Sequence, residues 1–435
     1  MIGPDAGAWR DRSVTFGTHI AFASVLYLGG ATQFALLPGY DPLSEFRMDI
    51  PNSGVETMRG TPFFNRWNLI IAAGLGVVLS TLSISCAPPK PIRIGFVGGL
   101  SGRVADLGIA GRNGAQLAIE LRNQAGGVAG RPVELIIRDD EQKPEVAERM
   151  TRELIAQGVV AIVGPMTSAM ALRMAPVAND AKIIIMSPTV TTNDLTDQDD
   201  YFFRLTSATR AIAAKSALYQ RNVQHLQRVA VVYDLGNKAY TESWLGDFRT
   251  AFTQNSGEMV KVLSFESGSD TLFLPIARDL LADPIDGVVI IANSVDAALL
   301  CQQIRKLDSR LPIAVSEWGA TERLVELGGQ AVEGVTAAQL FDRNNTAPSY
   351  QAFHQSYRDR FGQIPGFGGT AAFDAANVVL DALAKQSPGQ DLKQTVLAMR
   401  RFAGVQNPVI FNEFGDAKRE TLITTVRGGQ FIVVE

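Results

Sequence analysis

From Pro91 onward, short uninterrupted runs of Val and Ile alternate with longer stretches whose apolar residues recur at helical spacing. Residues 92–98, 133–138, 159–163 and 182–186 read as strands. The stretch 108–123 reads as a helix with Ala110, Gly114, Leu117, Ala118 and Leu121 on one face, and 144–157 as another with Val146, Met150, Leu154 and Ile155 inward. Strands apolar on both faces and separated by amphipathic helices build a parallel sheet covered on both sides.

A second series starts after Ser207. Strands at 228–233, 258–265, 287–292 and 313–316 alternate with helices near 239–255, 270–282, 294–308 and 321–328. The tail differs: a strand at 332–340, helical patterns at 347–361, 370–386 and 391–402, then short strands at 409–411, 421–426 and 430–434. This ending suits a chain that crosses back to the first lobe and then returns. At 435 residues the chain exceeds one ordinary domain, so a cleft between lobes is the natural place for a site.

The stretch from Val159 to Thr192 carries the most chemistry. One strand enters Gly164-Pro165-Met166-Thr167-Ser168 and the next opens into Ser187-Pro188-Thr189-Val190-Thr191-Thr192. Ligands of open parallel sheets sit beyond the carboxyl ends of the strands, and a helix starting at Ser168 offers free N–H groups and a positive dipole end there. That describes a pocket for a small anion, most simply a carboxylate. The alternative is that Ser168 is a helix N-cap and the threonines are turn residues.

What the chain lacks weighs against several function classes. A net charge of −4 without a basic run argues against a nucleic-acid partner. A hydrolase needs a nucleophile and a base, yet the histidines are only His19, His225 and His354, and no Gly-x-Ser-x-Gly elbow, His-Glu-x-x-His pair or Cys–His arrangement occurs. The loop Gly99-Leu100-Ser101-Gly102 lacks the lysine of a phosphate-binding loop and the spacing of a dinucleotide fingerprint. Asp139-Asp140 reads as a hydrogen-bonding turn rather than a metal site. No cofactor, metal or catalytic residue is expected. Cys86 and Cys301 are the only cysteines, which leaves no disulfide framework.

Residues 68–85 are uncharged, follow Arg59 and Arg66, and end at Cys86 with Pro88 and Pro89 behind it. This is the layout of an export signal, and Ser83-Ile84-Ser85-Cys86 resembles a bacterial lipobox with Ser83 where Leu is usual. Cys86 is the expected lipid attachment point; the alternative is an uncleaved anchor of marginal length. Translation from Met58 would give an ordinary signal peptide at 58–86 and leave 1–57 as an unselected or disordered extension. The uncharged stretch 13–40 keeps an upstream membrane helix open as a competing reading.

From residue 91 to 435 the chain resembles the type I periplasmic binding-protein fold, specifically the leucine/isoleucine/valine-binding family of transport receptors. The resemblance rests on Gly99-Leu100-Ser101-Gly102 with Ala105 and Gly108, Asp139-Asp140, Gly164-Pro165 with Ser168, Ser187-Pro188-Thr189-Val190-Thr191, Tyr233-Asp234 with Tyr240, Ser316-Glu317-Trp318 and Phe373-Asp374-Ala375-Ala376. It implies an α/β protein of two Rossmann-like lobes with parallel sheets, joined by a three-crossover hinge near Ser207, Leu340 and Gln406. Lobe I would hold 91–207 plus 341–406, and lobe II 208–340 plus 407–435. The lobes would close on a small molecule, and an ABC permease in the membrane would read the closed form.

The resemblance also assigns residues. Ser168 matches the position that holds a ligand carboxylate, with Thr189 and Thr191 flanking it as acceptor and donor. Glu317 matches the acid that pairs with a ligand ammonium, which would favour a zwitterion such as a branched-chain amino acid. Trp318 and Tyr240 would cover the site, and Leu107 and Asn293 stand where amino-acid-binding members often carry aromatics. A monomer is expected. A sensor of the same fold, responsive to amides, is the alternative function; a secreted hydrolase is a weaker one.

Overall fold

The computed structural model describes residues 89–435. Five strands, β1 (Ile92–Gly98), β2 (Val133–Asp139), β3 (Ala161–Val163), β4 (Ile184–Ser187) and β5 (Phe202–Arg204), form a parallel sheet in the order β2-β1-β3-β4-β5. Its central strands are largely buried, Ile94, Phe96, Ile162, Val163 and Ile185 having no exposed surface. A strand buried on both faces gains from apolar side chains in both directions, and the unbroken Val/Ile runs reflect that. The strand order reverses between β1 and β3, which places the crevice of this sheet at their carboxyl ends.

The second sheet has seven strands: β6 (Arg228–Asp234), β7 (Glu258–Phe265), β8 (Gly287–Ile291), β9 (Ile313–Val315), β10 (Thr336–Gln339), β13 (Leu422–Arg427) and β14 (Gln430–Val433). The order is β14-β13-β10-β9-β8-β6-β7, parallel from β10 to β7, with β13 and β14 antiparallel. The last residues of the chain therefore cover an edge that β10 would otherwise expose. Between these segments, β11 (Arg401–Phe402) and β12 (Val409–Ile410) form a two-stranded ribbon.

Helix Gly366–Lys385 packs on helix Ala105–Gln124 of the first lobe. Their contact is backbone to backbone, since a Cβ at Gly114 would lie 2.1 Å from the carbonyl oxygen of Gly369. Tyr357 donates to the Ala110 carbonyl and Arg360 pairs with Glu120, which fixes helix Pro348–Phe361 to the same face.

Four sequence expectations change. Helix Thr209–Asn222 and strand β5 carry no counterpart in the sequence reading. The helix expected from 370 begins at Gly366, where φ is +55°, so the glycine cluster forms the start of the helix. The helix expected to reach 402 ends at Met399, and Arg401–Phe402 is the strand β11. The third crossing lies near 418–421 rather than at Gln406: Arg204 and Asp416 bridge in parallel, Ala417 donates to Arg204, and only from Leu422 does the chain join the second sheet. Residues 407–417 thus pack with the first lobe, held by the Arg204–Asp416 ion pair at 2.6 Å.

Cys301 is fully buried and unpaired, with its thiol pushed up to about 12 by burial. Cys86, the export segment and the proposed start at Met58 lie outside the described residues.

Candidate functional site

Gly164 sets the geometry at the end of β3. Its φ is +114°, and a Cβ there would fall 2.1 Å from the Val97 carbonyl oxygen, so only glycine lets β3 run so close to β1. The chain then turns through Met166 into helix Ser168–Ala181. Thr167, with extended φ and ψ, is the N-cap, and Ser168 is the first helical residue. This corrects the reading of Ser168 as a cap. The Thr167 hydroxyl accepts from Gln142 Nε2 at 2.8 Å, and the Ser168 hydroxyl accepts from the Thr192 N–H at 3.3 Å.

The loop after β4 lies against this helix start. Thr189 donates to the Met166 carbonyl at 2.6 Å, and Ser187 to that of Pro165 at 3.0 Å. Ser168 is 1% exposed and Thr191 2%. The Thr191 hydroxyl is buried without a partner.

The opposing wall comes from the second lobe. Glu317 opens a single turn, Glu317–Gly319, directly after β9, and Tyr240 and Trp244 lie on helix Lys238–Gln254. Trp244 Nε1 donates to Glu317 Oε2 at 3.0 Å, while Glu317 Oε1, the Tyr240 hydroxyl and Ser316 Oγ are buried with no partner. Tyr240 packs edge-to-face on Trp318, ring centres 5.7 Å apart. Burial pushes the Glu317 carboxyl up to about 7. It raises the Tyr240 phenol well above its ordinary range, and the neighbouring Glu317 charge adds to that.

Ser168, Thr189, Tyr240, Glu317, Leu107 and Trp318 line one cavity of about 20 Å³, together with Met166, Thr167, Asn237 and Phe367. Space of that size holds about one water, so the walls stand nearly in contact. Two of the expected residues lie elsewhere. Thr191 opens into an adjoining chamber on the hinge side, which it shares with Thr189, Glu317 and Phe367. Asn293 does not line the cavity: it caps helix Ser294–Leu307, accepting from the Asp296 N–H and donating to the Asp296 carboxylate at 2.7 Å.

Sequence reasoning missed Asn237 and Phe367. Asn237 Oδ1 accepts from the Ala169 N–H at 3.0 Å, reaching across the cleft to a donor at the helix start. Phe367 sits in the glycine cluster just before the expected helix at 370–386, and no signal near it in the chain pointed to the site. Further cross-cleft contacts hold the lobes together. Asp106 Oδ2 accepts from Ser294 Oγ at 2.7 Å and Thr321 Oγ1 at 2.6 Å, and Arg103 pairs with Asp296 at 2.6 Å. The lobes are in a closed arrangement.

Two lobes closed over a hydroxyl-lined helix start and a buried acid match a known family. The periplasmic binding protein family model matches residues 91–430. The chain belongs to the periplasmic binding protein family. It is 25% identical over 334 residues, 74% of this chain and 87% of the relative, to the Leu/Ile/Val-binding protein BraC3 of Rhizobium johnstonii. It is 22% identical, over 75% of this chain and 87% of the relative, to a leucine-, isoleucine-, valine-, threonine- and alanine-binding protein of Pseudomonas aeruginosa. The fold is shared with the branched-chain amino acid transporter substrate-binding protein LivJ of Streptococcus pneumoniae, solved with isoleucine. There the TM-score is 0.74 at 24% identity, covering 79% of this chain and 99% of that one. A solute-binding protein from R. palustris, solved with benzoate, gives 0.71 at 20% identity over 79% and 95%. Members of the periplasmic binding protein family are exported, and these relatives are binding proteins rather than enzymes. The curated relatives support a solute-binding role. Among the described residues no helix is long and apolar enough to cross a membrane.

Proposed function

We propose that the chain is the extracytoplasmic solute-binding protein of an ABC-type importer, and that its two lobes close on a small carboxylate-bearing ligand, an amino acid of the branched-chain or a related type. The observation that carries this reading is Glu317. A carboxylate buried with one oxygen unpartnered is unfavourable by several kcal/mol unless a cation meets it. Across the same cavity stand the Ser168 hydroxyl and the start of a helix, which suit an anion. A zwitterion satisfies both walls.

Ser168 and Thr191 then donate to the carboxylate, Glu317 pairs with the ammonium with Thr189 beside it as an acceptor, and Tyr240 and Trp318 cover the ligand. Binding involves no covalent step. The partner is a membrane permease that recognises the closed lobes, and lipid at Cys86 would tether a monomeric receptor near it. Metabolic labelling with a radioactive fatty acid, lost in Cys86→Ser, tests the tether.

The deciding experiment is a thermal-shift screen of amino acids, amides and aromatic or aliphatic carboxylates. A ligand at a hundred times its Kd adds about 2.7 kcal/mol. Stabilisation by leucine, isoleucine or valine supports the proposal. Stabilisation only by carboxylates that lack an amino group would overturn the role given to Glu317.

A further inference from the structure

A groove of about 610 Å³ lies at the hinge and shares no lining residue with the cavities of the cleft. Three separate parts of the chain build it. Arg210 lies in the first turn of helix Thr209–Asn222, just past the first crossing, Lys418 stands where the third crossing begins, and Arg400 sits between helix Leu392–Met399 and β11. These residues belong to both lobes. Gln220, on the Arg210 helix, donates to Thr336 of β10 in the second lobe, whereas the Arg400 carbonyl accepts from the N–H of Phe411, in the segment packed with the first. The two crossings are laced together, since the Ser207 hydroxyl donates to the Arg419 carbonyl and accepts from the Arg419 N–H.

Charge in this groove is unbalanced. Arg210, Arg400 and Lys418 are exposed and have no ion pair or side-chain hydrogen bond among the described residues. Two acids also line it. Asp416 engages Arg204 with one oxygen and the Asp197 N–H with the other, while the Asp197 carboxylate receives Asn412 Nδ2 at 3.5 Å. With Arg204 and Asp416 cancelling, three cations face the single carboxylate of Asp197, an excess of two positive charges. The chain has 44 acids against 40 bases, so partners are not scarce. Elsewhere on the surface they are used: Arg103 and Arg323 in the cavity at the mouth pair with Asp296 and Glu326, and Lys238 on the outer face of helix Lys238–Gln254 pairs with Glu242. Like charges gathered in one place repel, and an anion joining them relieves that; arginine forks in particular match the paired oxygens of a phosphate.

We propose that this groove is a regulatory site for a doubly charged oxyanion of the phosphate class, free or as a monoester, and that its occupancy favours the closed lobes. The anion bridges Arg400, carried by the first lobe, and Arg210, carried by the second, so its contacts depend on the angle between them. The arrangement in which all three cations line one groove is the closed one. An anion that prefers this arrangement shifts the population toward it. The coupling is reciprocal: phosphate tightens the ligand of the cleft by the same factor as that ligand tightens phosphate.

The test is isothermal titration of the whole protein with inorganic phosphate at about pH 8, where it carries two charges, against sodium chloride at equal ionic strength as the control for screening. Phosphate is expected to bind, about tenfold more weakly in Arg210→Gln and in Arg400→Gln, and not at all in the triple variant that adds Lys418→Gln. The three side chains are on the surface, where such changes seldom unfold a protein. Small-angle scattering of the ligand-free protein should show phosphate compacting the native form and leaving the triple variant unchanged. Leucine affinity should rise about threefold with phosphate in the native protein only. Scattering needs no ligand in the cleft, so a protein that ignores leucine yet compacts with phosphate defeats the amino-acid reading and keeps this one. Absence of any phosphate response at roughly ten millimolar overturns the proposal. So does binding that survives the triple variant and vanishes in Ser168→Ala, which puts the anion in the cleft. Phosphate held by the groove without a change in compactness overturns the coupling to closure. A response to phosphatidic acid vesicles with none to free phosphate overturns the assignment of a soluble effector.

Discussion

Glu317 is expected to couple closure of the lobes to pH. In the closed arrangement its carboxyl is pushed to about 7 by burial, against 4.5 for the hydrated group that an open cleft would expose. Between those two values the closed form binds more protons than the open form, so closure weakens as pH rises through the window and is restored as pH falls. The difference amounts to roughly 3 kcal/mol, a factor of about three hundred in the ratio of closed to open protein without ligand. Trp244, which donates to Glu317, and Trp318 beside it report the change by fluorescence, and small-angle scattering reports the separation of the lobes. Without ligand, the native protein is expected to be more compact at pH 5 than at pH 8. In Glu317→Gln the pH dependence from this group disappears and the closed form persists at pH 8. Asp234 and Asp140 are also raised by burial, to about 6 and about 7, so the native-minus-variant difference is the quantity to read. A saturating amino acid supplies the missing cation and should keep the native protein compact at pH 8. A native protein whose compactness ignores pH, or a Glu317→Gln variant that titrates as the native does, would refute the reasoning.

Three further outcomes are expected. Ser168→Ala removes a hydroxyl at the anion wall and leaves the buried Thr192 N–H without its acceptor, so it should weaken leucine by about 1–3 kcal/mol in calorimetry and also lower the melting temperature of the ligand-free protein. Asp106→Ala deletes the acceptor shared by Ser294 and Thr321 across the cleft, and should weaken all ligands by a similar factor of about ten without altering their order. Arg204→Ala leaves Asp416 without its buried partner and should cost about 3–5 kcal/mol in urea unfolding, part of it recovered by adding Asp416→Asn.

Which parts of this molecule could be read from the chain follows from how local their causes are. β1, β3, β4, β6, β8 and β9 are runs of mainly apolar residues whose burial is written in their own composition. Ser168 and Glu317 sit one turn past such strands, where the topology of any open parallel sheet puts ligands, so both were visible. β5 is three residues long, and its identity depends on pairing with β4 and on Asp416, more than two hundred residues away. Helix Thr209–Asn222 begins after Ala208 with no side-chain cap and no acid in its first turn, so the usual start signals are missing. Asn293 sits one residue past a strand, as a ligand-contacting residue would. Its side chain is nevertheless taken by the N–H of Asp296, a competition that only the geometry decides. Phe367 reaches the site because Gly114 and Gly369 let two helices touch at the backbone. That contact joins residues far apart in the chain, and single-sequence periodicity is blind to it.

The late return of the chain bears on how the protein is made. Asp416 anchors β5 of one lobe, and β13 and β14 cover the open edge of the other, so both halves wait for residues 416–433. During synthesis neither sheet is complete until those residues have emerged, which leaves the nascent chain short of its stable form for most of its elongation. For an exported protein that delay is useful. A chain still extended can be threaded across a membrane, and the two halves then finish folding together on the far side.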